Sequence, residues 1–170
     1  DKKINAYQDV YRRDLLAFKQ IGFNVDIHAV VLLYNGEYQG HVYIWNQPKI
    51  KQKRRSTEKK EKHLMVMGIR NRIDTIWNRD DSSLRNIALY LFEGVRLFAD
   101  YLDLTKIAIV EPFAVIEQIV TKIGFVNSFV SAEIIGNSIS EYSSTRKFQC
   151  YVSNTIDQPF IEGNFNLDIV

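Results

Sequence analysis

The dipeptide Asn35-Gly36 constrains this chain more than any other pair of residues. It sits between two runs rich in β-formers, Val25 to Tyr34 and Tyr38 to Asn46. The type I′ turn of a two-residue hairpin loop needs positive φ at both central positions, which Asn and Gly tolerate best. The spacing therefore predicts an antiparallel hairpin. Before it, Tyr7, Tyr11, Leu15 and Phe18 recur at helical spacing and predict a helix over 4–22, with Gly22 as its stop. After it, His63 to Ile69, carrying Leu64-Met65-Val66-Met67, reads as a buried strand.

Asp80-Asp81-Ser82-Ser83 is an N-cap cluster opening the longest helix, 83–102, whose apolar stripe is Leu84, Ala88, Leu91, Val95, Phe98 and Leu102. A short apolar strand, Lys106 to Val110, ends at Glu111-Pro112. A helix over 113–122 turns Ile116, Ile119 and Val120 inward, and Gly124 is its natural C-cap. Two further strands, 125–135 and 147–153, precede a polar tail. This mixed order predicts α/β (α+β) layering.

The 170 residues suit one domain spanning 1–170, and 46% hydrophobic residues can fill its core. A net charge of +2 is too small to imply a nucleic-acid partner. Cys150 is the only cysteine, so no internal disulfide can form, as in a reducing compartment. No apolar run approaches a membrane span, and Asp1-Lys2-Lys3 lacks a signal peptide's apolar core. These features predict a cytoplasmic protein without a membrane partner. The chain lacks an initiator Met and so reads as a fragment or a processed product, with room for upstream residues, such as an N-terminal strand, in the native fold. Residues 48–62 hold Lys49, Lys51, Lys53, Arg54, Arg55, Lys59, Lys60 and Lys62 against Glu58 and Glu61. They read as a basic, solvated, exposed loop able to meet phosphates, but without the aromatics of a base-stacking surface.

Three segments carry a resemblance. Val31-Leu32-Leu33-Tyr34-Asn35-Gly36-Glu37-Tyr38-Gln39-Gly40-His41-Val42, Asn86-Ile87-Ala88 with the helix running to Lys106-Ile107-Ala108-Ile109, and Val120-Thr121-Lys122-Ile123-Gly124-Phe125 follow in order over 24–153. The set resembles the GNAT superfamily of N-acetyltransferases. The resemblance implies a central mixed, mostly antiparallel sheet flanked by helices. It also implies acetyl-CoA (acyl-CoA) as cofactor and a small-molecule or peptide amine as acceptor; a homodimer is compatible with it.

In that family the cofactor lies between two splayed central strands. Met67, Gly68 and Ile69 would then pair with the pantetheine arm, and Ser83, Arg85, Asn86 and Ala88 would lie near the pyrophosphate at a helix start. Ala88 matches the family's pyrophosphate signature. Ser83 replaces its Arg or Gln, and Asn86, which tolerates left-handed backbone, replaces its first Gly. The family's acid, a Tyr on its fourth helix, aligns with Val120, and its Asn earlier in that helix aligns with Phe113. These departures leave two alternatives: a GNAT-like binding module without catalysis, or an adaptor presenting the basic loop to an acidic partner.

Glu111, at the end of the central strand, is the candidate catalytic base or acceptor-binding group; the plainer reading is a carboxylate capping the next helix. Asp26 and His28 share one strand face and could bind an acceptor, or form a polar pair on an edge strand. His41 and His63 are expected at the surface. Cys150 is expected to be a buried apolar residue. No spacing among the histidines, Cys150 and the acids predicts a metal site, and Ser82-Ser83 lacks the context of a hydrolase nucleophile.

Overall fold

The computed structural model describes residues 2–20, 27–46, 63–71, 81–135, 143–153 and 156–169. Helix α1 (Lys2–Gln20) is followed by strands β1 (Ile27–Tyr34), β2 (Glu37–Asn46) and β3 (His63–Asn71). Then come α2 (Asp81–Tyr101), β4 (Lys106–Val110), α3 (Ala114–Lys122), β5 (Val126–Ile135) and β6 (Ser143–Val152). The strands form one mixed sheet in the order β1-β2-β3-β4-β6-β5. Every pairing is antiparallel except β3–β4. The fold class and element order are those expected from the sequence. The basic stretch 48–62 and Asp26 lie outside the described residues. No described helix is long and apolar enough to cross a membrane.

Local chemistry sets the element ends. Asn35 and Gly36 both have positive φ, 49° and 75°, as a tight hairpin turn requires. At the end of α3, the Gly124 amide donates to the Thr121 carbonyl and the Phe125 amide to that of Val120. Gly124, at φ 97°, makes this left-handed exit without Cβ strain. Phe125 and Val120 are both buried in the core, completing the apolar contact that accompanies such a cap. The Gly124-Phe125 pair therefore turns the chain into β5. The end of α2 uses the same scheme with Asp103 at φ 56°; its amide donates to Asp100, and that of Leu104 to Ala99.

The sheet divides two apolar layers. Val42, Ile44, Leu64, Val66, Ile107 and Ile109 face α2 and α3, meeting Leu91, Phe92, Val95, Ile116 and Val120. On the other face Trp45, Met65, Ala108, Phe148 and Cys150 form a second layer, against which Phe18 of α1 packs. The tail is not a free polar end. Glu93 on α2, 1% exposed, accepts hydrogen bonds from Arg96 and from the Phe160 amide. Arg96 donates to the Ile156 carbonyl, and Ile156 is buried.

Gly94 marks the tightest crossing, where α2 passes β1. A Cβ there would lie 2.9 Å from Val30 Cγ1, and the branched Val30 side chain has little freedom to yield. Alanine normally stabilises a helix interior by about 1 kcal/mol over glycine. Here Gly94→Ala is expected to destabilise instead, by about 1–3 kcal/mol net, through overpacking. Urea unfolding checks this; a gain in stability contradicts the close approach.

Candidate functional site

The site originates where the two halves of the sheet part. The β3–β4 ladder pairs His63 with Lys106 and ends at Val66 with Ile109. On β3 the register with β2 jumps at this point: Tyr43 pairs with Gly68 and Ile44 with Val66, leaving Met67 as the extra residue of a bulge. On β4 the chain turns away at Glu111, whose φ is +44°, and Pro112, which has no amide to donate. The Glu111 amide still donates to the Gln149 carbonyl, 3.1 Å away, so β4 stays with β6 as it leaves β3. From Met67 onward, β3 has no β4 residue opposite it.

A cavity of about 390 Å³ occupies this opening. Its wall includes Val66, Ile109, Phe92 and Ile116 from the α2/α3 side. From the α1 side come Asp14, Ala17, Phe18 and Tyr43. Met67, Gly68, Ile69 and Glu111, four of the residues singled out in the sequence, line it together. Glu111 is exposed, and its carboxylate has no hydrogen-bond or ion-pair partner among the described residues. It does not cap α3 either, since Phe113, the N-cap residue, is followed by a helix with no side-chain cap.

The remaining candidates lie elsewhere. His28 is exposed on the edge strand β1 and is not part of the cavity wall. Ser83, Arg85 and Asn86 lie within α2, which begins at Asp81, and their side chains lie outside what the structure describes. Asn86 is helical, so its tolerance of left-handed backbone is not used; the helix starts two residues before the expected start at 83. Ala88 is fully buried in the core under α2. Val120 is equally buried, on the inward face of α3.

Sequence reading missed the polar wall of the cavity. Arg70 donates through Nε and Nη2 to the two carboxylate oxygens of Asp14, at 2.8 and 2.7 Å. The Tyr43 hydroxyl donates to Asp14 Oδ2 at 2.6 Å. Burial pushes the Asp14 pKa up, but the hydrogen bonds from Arg70 and Tyr43 and the charges of Arg70 and Arg13 outweigh it, so the group is held below the usual carboxylate range. Asp14 and Arg70 lie 56 residues apart, and only the packing of α1 across β3 brings them together.

His41 corrects another expectation. It is fully buried rather than at the surface, packed edge-on to Tyr43 with ring centroids 4.8 Å apart. It lies 2.6 Å through Nδ1 from the Tyr38 hydroxyl. β2 presents residues 41, 43 and 45 to the α1 side, so a histidine here must enter the aromatic layer. Desolvation lowers its pKa to about 4; the Asp14 charge opposes this and that of Arg70 adds to it. Cys150 is the buried apolar residue expected, with its thiol pushed up to about 11 by burial and then by the Glu111 charge. At neutral pH such a thiol is no nucleophile.

No protein-family model and no curated protein matches this sequence. Several solved structures are similar in shape. A Salmonella typhimurium protein solved with its cofactor acetyl-CoA is 10% identical, covering 88% of this chain and 74% of its own, at a TM-score of 0.45. An N-acetyltransferase from Staphylococcus aureus Mu50 is 10% identical over 84% of this chain and 75% of its own, also at 0.45. The PaiA N-acetyltransferase of Thermoplasma acidophilum, in complex with coenzyme A, is 8% identical over 82% and 67%, at 0.39. Likeness at this level carries neither residues nor activity across to this chain.

The buried His41 makes the protein acid-sensitive in a defined window. Its folded pKa lies below the unfolded value, so the unfolded chain binds the extra proton between pH 6.5 and about 4. The stability it contributes is complete above pH 6.5 and drains as pH falls toward 4, by about 3 kcal/mol in all. His41→Phe is expected to flatten this slope in urea titrations across that window. An unchanged slope contradicts the assignment.

Proposed function

We propose that the cleft between β3 and β4 binds an acyl-CoA and serves acyl transfer to an amine, the activity implied by the resemblance to N-acetyltransferases. The single observation that carries this reading is the end of the β3–β4 ladder at Val66 and Ile109. It opens a strand edge running through Met67, Gly68 and Ile69 beside a cavity of small-molecule size. A pantetheine arm is an extended chain of amides, and an unpaired strand edge offers such a chain donors and acceptors in register. Val66, Ile109, Phe92 and Ile116 would enclose its apolar carbons. The first-turn amides of α2, Ser83 among them, have no intrahelical partner and favour an anion such as the pyrophosphate. Bound there, the cofactor would supply an activated thioester carbonyl.

Glu111 would act on the acceptor. Its unpartnered carboxylate at the cleft attracts an ammonium and can take the proton that must leave before the nitrogen becomes nucleophilic. Val120 supports a second reading, a cofactor-binding module without catalysis, because it fills the core where the family carries its acidic Tyr.

Thermal unfolding with and without millimolar acetyl-CoA tests the proposal. Ligand at a hundredfold excess over its Kd stabilises by about 2.7 kcal/mol, roughly 5–10 °C for a chain of this size. Ile69→Trp, which narrows the cleft, is expected to abolish the shift while keeping a cooperative melt of its own. No shift in the unaltered protein defeats both acyl-CoA readings. A shift without thiol release in the presence of amines selects the non-catalytic one.

A further inference from the structure

The charges lining the cleft do not balance, and their distribution defines what can approach Glu111. Among the described residues, three charged side chains line it: Asp14, Arg70 and Glu111. Asp14 and Arg70 neutralise one another through two parallel hydrogen bonds, and Tyr43 holds the same carboxylate. That leaves Glu111 as the one uncompensated charge among the described residues of the wall. Beside these polar groups the wall carries the apolar side chains of Ala17, Phe18, Met67, Val110, Pro112 and Phe113. Phe113 is 75% exposed, so its ring stands at the cleft with little protein covering it. Any body entering beside Glu111 would displace water from this ring and from Phe18.

We propose that the acceptor is a monocationic amine with an apolar, ring-bearing body, an arylalkylamine in kind. This inference rests on the acyl-transfer reading of the same cleft. One ammonium matches the one free carboxylate, and the rest of the molecule matches aromatic and thioether surface, where an aromatic ring gains contact energy beyond area burial. A polyamine would bring a second ammonium beside apolar residues and the Arg70 guanidinium, leaving a desolvated charge without a partner. A free amino acid would bring a carboxylate toward Glu111, while Arg70 already has two of its nitrogens committed to Asp14.

Phenethylamine, spermidine and L-phenylalanine are compared as acceptors at saturating acetyl-CoA, with release of the CoA thiol as the readout. Phenethylamine is expected to exceed the other two in kcat/KM by at least about tenfold, equivalent to about 1.4 kcal/mol. Phe113→Ala is expected to raise the KM for phenethylamine by about 5–10-fold through the lost ring contact, with the KM for acetyl-CoA unchanged. Equal or better use of spermidine or L-phenylalanine overturns the inference. So does failure to use phenethylamine by a protein that acetyl-CoA stabilises. If acetyl-CoA neither binds nor reacts, the acyl-transfer reading fails on its own. Calorimetry of phenethylamine on the protein then decides the amine site: binding lost in Glu111→Gln upholds it, and no binding overturns it.

Discussion

Four residue pairs hold the two halves of this sheet together. The parallel ladder from His63–Lys106 to Val66–Ile109 joins the β1-β2-β3 half to the β4-β6-β5 half, with α2 as the crossover between them. Its length sets the rest. Below its end the strands are zipped and both faces bury continuous apolar layers. Above it the Met67 bulge and the turn at Glu111-Pro112 pull the strands apart, and the cleft exists because neither strand can continue the ladder. Glu111 keeps a left-handed backbone that costs a non-glycine residue of order 1–3 kcal/mol. The hydrogen bond from its amide to the Gln149 carbonyl and the rigid proline that follows hold it there.

The helices divide the work around this opening. α2 and α3 close one face through the Leu91, Phe92, Ile116 and Val120 layer, and the strapped C-terminal segment fixes α2 from outside through Glu93 and Arg96. α1 closes the other face by different means. It sets an aromatic layer of Phe18, Tyr11 and Tyr43 around a neutral, buried His41, and it is tethered by the Asp14–Arg70 pair. The polar wall of the cleft is thus also the attachment of the helix that covers it. Its charges are spent on each other, which leaves Glu111 as the free charge among the described cleft residues.

Much of the fold was legible because its signals are local. Asn35-Gly36 announces its turn by backbone conformation alone, Gly124-Phe125 its helix exit, and the stripe from Ala88 through Leu102 the buried side of α2. Met67, Gly68, Ile69 and Glu111, singled out through the resemblance and the strand ends, line one cavity. The polar wall was not legible. Asp14, Tyr43 and Arg70 are scattered over three elements, and nothing in their spacing records that α1 lies across β2 and β3. His41 was misjudged for the same reason: its burial depends on a helix packing over a strand face that the sequence leaves unmarked. The start of α2 was misplaced because Asp81, Ser82 and Ser83 read equally as cap or as first turn.

Amide hydrogen exchange of the protein with and without acetyl-CoA measures the central claim most directly. If the opened edge of β3 receives the cofactor, exchange slows at residues 67–71 and at the first turn of α2, while the already paired residues 63–66 change little. Protection confined to other elements, or none at these positions despite binding, contradicts the account.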